Sequence, residues 1–450
     1  MFCLRVKSAG YTVTYSCRNS DVNMTFISLR TLEHSEPRSL MRRAFLSALC
    51  FFAIAATIGA LLRLIFVVDM PWLLFKPWLH AHSHVAMLGW VFPAVLITIM
   101  GQDENAVPHS FLKWILFSQF TVLGMLFAFP LQGYGAASIA FSGLQIVAGY
   151  VLIAIVWKHT SYWPKEGSRR LVRLAFLLQI CSTIGVWVMG PIMTSKLAGT
   201  EWYYWSVQWF LHFQFNGWFW FAAMAIGSRW AELHGVDVRI DKNTIALWVI
   251  SIFLTFALVI AWSERNAVVL TVNSAGVLIQ FWAAWRTLQA MLRARLQAFV
   301  KTTPWMRILI GVMLLSMAAR IAAQTAVSIP AVANMALTLR NYVIGFIHLN
   351  TLGAVSALLF THALMKGWIN ERIRIVPVAI VLFIAGFLLS EVMLFVQGTM
   401  FWMGCGLVSG YYGVLFGVSV LLPVAVVMLV LHFWRTRNEI VPRVSSRAIK

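Results

Sequence analysis

Between Arg43 and Trp434 the chain alternates long apolar runs with short polar breaks. A helix needs about 20 apolar residues to cross the hydrocarbon layer of a bilayer, and in lipid it must satisfy every backbone group within itself. By that criterion the pattern predicts twelve spans. The first six are Ala44–Val68, Trp78–Met100, Leu112–Pro130, Ala136–Trp157, Leu171–Met193 and Tyr204–Gly227. The second six are Thr244–Trp262, Val268–Leu292, Met306–Val327, Tyr342–Met365, Val376–Gln397 and Leu407–Trp434.

Composition agrees with that pattern. Of the 450 residues 60% are hydrophobic and 11% charged, whereas a soluble domain averages about 25% charged residues. A soluble core cannot absorb that much apolar surface. The expected fold is an all-α polytopic membrane protein, with a polar cytosolic tail over residues 1–39, one membrane domain over 40–434 and a basic cytosolic tail over 435–450. The N-terminal tail lacks the short apolar core of a cleavable signal peptide, and initiation at Met24 or Met41 is the alternative.

The net charge of +20 would suit nucleic acid if it formed one stripe, but the Lys and Arg residues cluster in alternate short loops and at the termini. That pattern belongs to membrane topology, because retained cytoplasmic loops carry the basic excess. Lys158, Lys165, Arg169, Arg170 and Arg173 lie between spans four and five, and Arg293, Arg295, Lys301 and Arg307 between eight and nine. Lys366, Arg372 and Arg374 follow span ten, and Arg435, Arg437, Arg443, Arg447 and Lys450 end the chain. Both termini are therefore predicted inside. The loop with Asp103 and Glu104 is the one inside loop that breaks the pattern. Five cysteines, Cys3, Cys17, Cys50, Cys181 and Cys405, show neither a C-x-x-C pair nor a disulfide framework.

Three segments share a motif: His84-Val-Ala-Met-Leu-Gly89-Trp90, His212-Phe-Gln-Phe-Asn-Gly217-Trp218 and His348-Leu-Asn-Thr-Leu-Gly353. In each, a histidine precedes a glycine by five positions. They fall in spans two, six and ten, separated by 128 and 136 residues, so the chain reads as three pseudo-repeated four-helix units. The helices continue for roughly 15 to 18 residues past each histidine, or about 23 to 27 Å at the helical rise, which puts the three side chains at one depth near the outer face. An intramembrane histidine is a functional hypothesis by default, the bland alternative being a hydrogen bond to a neighbouring helix. Close helix packing is the equivalent plain reading of each glycine. Imidazole is a ligand for haem iron, copper or zinc, and a six-coordinate haem takes two imidazoles from facing helices. His84 and His348 could supply them.

With these features the chain resembles subunit I of the haem-copper oxidase superfamily, and His348-Leu-Asn-Thr-Leu-Gly353 looks like the helix-ten segment of its C-type oxidase and nitric oxide reductase branch. The resemblance covers the membrane region and implies a low-spin haem b between helices two and ten, with His84 and His348 as iron ligands. It also implies a bacterial inner membrane location and respiratory partners, either neighbouring subunits or a cytochrome or quinol donor. Departures define the rest. The high-spin haem ligand expected two residues before His348 is replaced by Phe346, span seven lacks the histidine pair expected for copper, and Asn216 stands where many oxidases have a tyrosine. The chain therefore reads as a degenerate member without the usual two-metal centre, with His212 as a lone ligand or a hydrogen-bond donor.

His80 lies one turn before His84 on the same face, so either could be the iron ligand, while His82 points elsewhere. His80 and His212 together could hold a second metal, copper included. Haem propionates want cationic partners, for which Arg340, about 12 Å outward of His348, and Arg63 are the candidates; snorkelling to headgroups is the alternative. Arg320 and Glu391 lie within apolar spans and could pair with each other. The leading expectation is a haem-binding membrane redox protein that carries electrons or handles oxygen or nitric oxide; no catalytic residue is identified. The alternatives are a histidine-containing transporter or channel for protons or metal ions, and a haemless partner of a respiratory complex.

Overall fold

Each apolar run folds as one helix, because only a helix satisfies the backbone inside its own segment. In chain order these are α1 (Leu29–Leu64), α2 (Phe75–Met100), α3 (His109–Gln132), α4 (Ala136–His159), α5 (Ser168–Met193) and α6 (201–233). They are followed by α7 (Lys242–Ile260), α8 (Ala267–Arg293), α9 (Pro304–Ala326), α10 (Arg340–Met365), α11 (Ile375–Trp402) and α12 (Tyr411–Arg435). A short helix, Pro330–Thr338, precedes α10. This computed structural model describes residues 29–103, 107–294 and 302–436, with side chains from Leu40 onward, and a two-residue antiparallel pairing of Arg5–Val6 with Val13–Thr14. Glu104, Arg295, Lys301, Cys3, Cys17 and the basic tail from Arg437 onward lie outside the described residues.

Eleven of these helices are long and apolar enough to cross a membrane, so the chain is an all-α integral membrane protein. The segment predicted as the sixth span, Tyr204–Gly227, lies within α6, which is continuous but is not among the eleven. His212, Gln214 and Asn216 interrupt its apolar run. α1 begins at Leu29, inside the stretch read as a tail, because a helix ends where its backbone hydrogen bonds end and not where its hydropathy falls.

The helices sort into a centre and a rim. α2, α6 and α10 each touch the other two, and the remaining nine surround them, with α1 closing against α12. Burial follows: α2 and α10 are buried along 78% and 56% of their most apolar windows, against 28% to 50% for the nine rim helices. Trp90 of α2 donates to Ser356 of α10 at 2.9 Å, and Phe92 of α2 meets Trp218 of α6 with ring centroids 5.9 Å apart. The rim turns apolar stripes outward, such as Leu116, Phe120, Leu123 and Phe127 on α3, whose spacing keeps them on one face toward lipid.

The three histidine motifs have one local geometry. Directly after His84, His212 and His348 the helix widens into a π-type turn, over Val85–Val91, Phe213–Trp218 and Leu349–Ser356. Such turns leave carbonyls with strained ladders that side chains can take up. Asn350 donates to Phe346 O at 2.6 Å and Thr351 to Ile347 O at 2.9 Å. The glycine of each motif lies inside the wide turn and presses on the preceding rim helix. A Cβ on Gly89 would stand 2.9 Å from Phe51 of α1, and one on Gly217 would stand 2.9 Å from Leu178 of α5. One on Gly353 would collide with Ser316 of α9 and Phe387 of α11. Close packing against the neighbouring helix is thus what all three glycines do.

The end of the bundle away from the histidines is held by charge. Arg42 donates to Trp368 O and to Thr436 Oγ1, joining α1 to the segment after α10 and to the end of α12. Asp103 accepts from Arg229 of α6 and, at 2.7 Å, from Trp163 Nε1. This explains the acidic residue in a basic loop: Asp103 anchors three segments. Asp241 caps α7 through Thr244 N at 3.0 Å, and the Thr244 hydroxyl with the Arg286 cation holds its carboxyl down at about 2. The cap is present above the usual carboxylate range and is lost as pH falls toward 2.

Gly353→Ala should cost about 1–3 kcal/mol through overpacking, read as a lower thermal midpoint in detergent. Gly311→Ala on the same rim helix α9 meets nothing within 4 Å and should leave the midpoint equal or higher. Equal effects of the two changes would show that the Gly353 contact is not close.

Candidate functional site

Two groups of polar side chains lie at the histidine end of the bundle, and they differ in how they are packed. The first involves α1, α2, α10, α11 and α12. His82 Nδ1 lies 2.8 Å from Ala55 O of α1, which fixes the proton on Nδ1 and leaves Nε2 with its lone pair. The ring packs against α1 where Gly59 stands, and a Cβ there would come within 2.9 Å of His82 Cε1. His348 Nδ1 stands 3.7 Å from Glu391 Oε1 of α11, and neither atom has a hydrogen-bond partner among the described residues. Gly345, one turn before His348, makes room for Glu391, whose Oε2 would be 3.2 Å from a Cβ.

Arg63 completes the group. Its Nη1 donates to Ser419 of α12, and its charge is near enough to act on His82, His348, Glu391 and Tyr411. His82 in turn lies near enough to His348 for their charges to interact. These groups are deep in the bundle, yet His348 and Glu391 keep 21% and 19% of their side-chain surface accessible. The first turns of α10, Arg340–His348, contain no buried residue although the helix is central. The protein therefore covers these side chains only in part.

The second group surrounds His212 and is closed. His212 Nε2 is 2.8 Å from Ile252 O of α7, and its Nδ1 is 3.1 Å from Asn216 Nδ2, so both ring nitrogens are taken. Arg320 of α9 donates to Asn216 Oδ1 at 2.5 Å and Gln324 donates to the same oxygen at 2.7 Å. The Arg320 guanidinium rests over the Trp220 ring, 4.3 Å from its centroid, and has no accessible surface. Its Nε and Nη1 have no hydrogen-bond partner, so the aromatic face is the main compensation for the charge. A cation fills the place beside His212.

The remaining predicted residues fall elsewhere. His84 bonds His80 O of its own helix through Nδ1 and packs on Phe129 of α3, with centroids 4.4 Å apart. His80 faces the same side and meets Tyr134 edge-on at 4.7 Å. The structure brings His82 toward His348 and turns His84 toward α3, the reverse of the sequence expectation that His82 points elsewhere. It does not bring His80 to His212, the pair expected to share a second metal, since one lies against α3 and the other between α6 and α7. Among the described residues no three His, Cys, Asp or Glu side chains form a metal-holding group. Arg320 and Glu391 do not pair: the first bonds Asn216 and the second faces His348. Arg340 is exposed, with its guanidinium 5.6 Å from the Phe75 ring.

Sequence reasoning missed the role of His82, the Glu391–His348 contact and His362, which is buried at the far end of α10. In a His-x-His-x-His run, which of three rings faces inward depends on the roll of the helix, and one sequence does not carry that. No protein-family model and no curated protein matches the chain.

Because Arg320 has no acidic partner among the described residues, replacing it by a side chain of like volume removes a desolvation cost and leaves the packing. Arg320→Met should therefore leave the thermal midpoint unchanged or raise it. Arg320→Ala opens a cavity and should cost about 2–5 kcal/mol. A large loss with Met would show that the charge itself holds the fold.

Proposed function

We propose that this chain is a haem-binding membrane redox protein resembling oxidase subunit I, with a low-spin haem b between α2 and α10. One observation carries the proposal. His82 and His348 come from different helices, lie near enough for their charges to interact and are only partly covered, with Nδ1 of His82 on Ala55 O and Nδ1 of His348 3.7 Å from Glu391. Metal-ligating histidines commonly use one nitrogen as His82 does, so that the partner fixes the tautomer and raises the basicity of the other. The residues fit a bis-imidazole haem, with His82 in place of His84 as the α2 ligand. Arg63 is the cation suited to a propionate.

Bound there, the haem would supply one-electron redox chemistry. The chain's own part is to hold both rings, keep Arg63 and Glu391 beside them, and exclude bulk water with the apolar side chains around. Copper is not expected at His212, because both nitrogens are bonded and a guanidinium stands next to it. On this reading α6 crosses the membrane as a twelfth span, and the end carrying Arg42 and Arg229 faces the cytoplasm of a bacterial inner membrane. The electron donor would be a cytochrome or a quinol, or a neighbouring respiratory subunit.

The pairing of His348 with Glu391 also suits a proton-relaying transporter, which would need no chromophore. A reduced-minus-oxidised visible spectrum of the purified chain separates the two. The expected result is a haem b spectrum that is lost in His82→Ala and in His348→Ala and kept in His84→Ala. Loss in His84→Ala with retention in His82→Ala would return the ligand to His84, and absence of haem from the intact chain would remove the redox reading.

Orientation has its own test. A periplasm-dependent phosphatase fused after Thr436 should be inactive and a fluorescent protein fused there should fluoresce. The opposite pattern would invert the topology.

A further inference from the structure

A pocket of about 360 Å³ opens at the end of the bundle away from the histidines, between the first turns of α5 and of α7. Both helices pack on α6: Gln214 donates to Gln179 of α5 at 2.7 Å, and Trp220 meets Trp248 of α7 with ring centroids 5.1 Å apart. Four cations line the pocket, Lys165 from the turn before α5 and Arg169, Arg170 and Arg173 from the helix itself. Leu177 of α5 and Val249 of α7 form its deeper part, each roughly two turns into its helix. On α5 the exposed apolar face runs on from Leu177 through Ile180 and Ile184, and on α7 from Ile250 to Phe253. The pocket is therefore charged at one end and apolar at the other, and the apolar part continues into the lipid-facing surface.

The protein leaves these cations nearly unmatched. Arg229 and Arg286, at the same end of the bundle, each have a carboxylate partner, Asp103 and Asp241. Around the pocket one acid stands against four cations: Glu166, 3.3 Å from Arg170 and 67% exposed, where water screens the pair and leaves it worth little. Lys165, Arg169 and Arg173 have no acidic partner among the described residues. Arg169 donates to Ser161 O, and the Arg173 guanidinium lies over the Trp157 ring of α4, 3.8 Å from its centroid. Both contacts fix where the cations stand without neutralising them. A basic excess in a retained loop is general among membrane proteins, but that bias needs only a count of charges, not their convergence on one pocket wall. Like charges gathered there repel one another, and an anion among them relieves the repulsion.

We propose that this pocket holds the head of an anionic phospholipid, with its phosphate among Lys165, Arg169 and Arg170 and an acyl chain running over Leu177 and Ile180 along α5. Basic pockets between membrane helices bind anionic lipid heads, and a guanidinium matches phosphate oxygens with two parallel hydrogen bonds. A free phosphate would use the charged end and leave the apolar part empty, so the lipid is the favoured source. A zwitterionic head would bring a further cation to a wall that already carries four. The site lies at the opposite end of the bundle from His348 and is independent of the haem reading.

The test is native mass spectrometry of the full chain released from nanodiscs that contain an equal mixture of dioleoylphosphatidylglycerol and dioleoylphosphatidylcholine. The expected result is a retained phosphatidylglycerol adduct in excess over phosphatidylcholine. In the double variant Arg169→Gln, Arg170→Gln that adduct should fall about tenfold or more. In Arg372→Gln, Arg374→Gln, which removes two exposed cations outside the pocket, it should persist. No preference in the unaltered chain, no loss in the pocket variant, or equal loss in both variants would overturn the proposal. Should the pocket variant not fold, the thermal midpoint of the unaltered chain in detergent decides. Added dioleoylphosphatidylglycerol should raise it at concentrations where dioleoylphosphatidylcholine and inorganic phosphate do not. An equal rise with inorganic phosphate would make the site one for a free anion and remove the lipid, and no rise with the anionic lipid would remove the site.

Discussion

The meeting of α2, α6 and α10 on a common axis is the constraint on which the rest of the bundle depends. Helices in lipid gain little from hydrophobic burial against one another, so they associate by close packing and by polar contacts. Here each central helix gains its close approach from the glycine of its motif, set in a widened turn against the rim helix that precedes it in the chain. Widening the turn also rotates the histidine end of each helix relative to its far end. The far ends of α2 and α10 are fully packed, as the unbroken burial of Trp90 to Met100 and of Asn350 to Leu364 shows, while their histidine ends are only partly buried.

The histidine ends are packed in two ways. Beside His212 the gap is closed by Arg320, Asn216 and Gln324, with an aromatic ring supplying the electrostatic partner that no carboxylate supplies. Beside His348 the side chains are only partly covered, and not all of their hydrogen bonds are satisfied among the described residues. Both clusters keep buried polar atoms without a hydrogen-bond partner among the described residues, Arg320 Nε and Nη1 in the first and His348 Nδ1 and Glu391 Oε1 in the second.

Much of this was legible in the sequence, and the limits were physical. Hydropathy located every rim helix, because a segment in lipid has no other way to satisfy its backbone. It undervalued α6, whose His212, Gln214 and Asn216 are spent on internal polar contacts that a composition scale counts as solvent-seeking. The His–Gly spacing marked where the turns widen, although nothing in one sequence announces a π-type turn. Side-chain direction was the weak point. His82 and His84 differ by about 200° around a helix, and Ala55 O together with the gap at Gly59 decides between them, which are features of a different helix. The same limit applied to Arg320 and Glu391, which share an apolar setting in the sequence yet face different clusters in space.

The closed cluster and the open one also bound what the chain can do chemically. A two-metal centre needs a second cation within a few ångströms of the first site's ligands, with free imidazole nitrogens to hold it. His212 has no free nitrogen, and the neighbouring guanidinium would repel a metal ion in a medium of low dielectric, where charges are screened least. Chemistry that requires several electrons at one place is therefore disfavoured near α6.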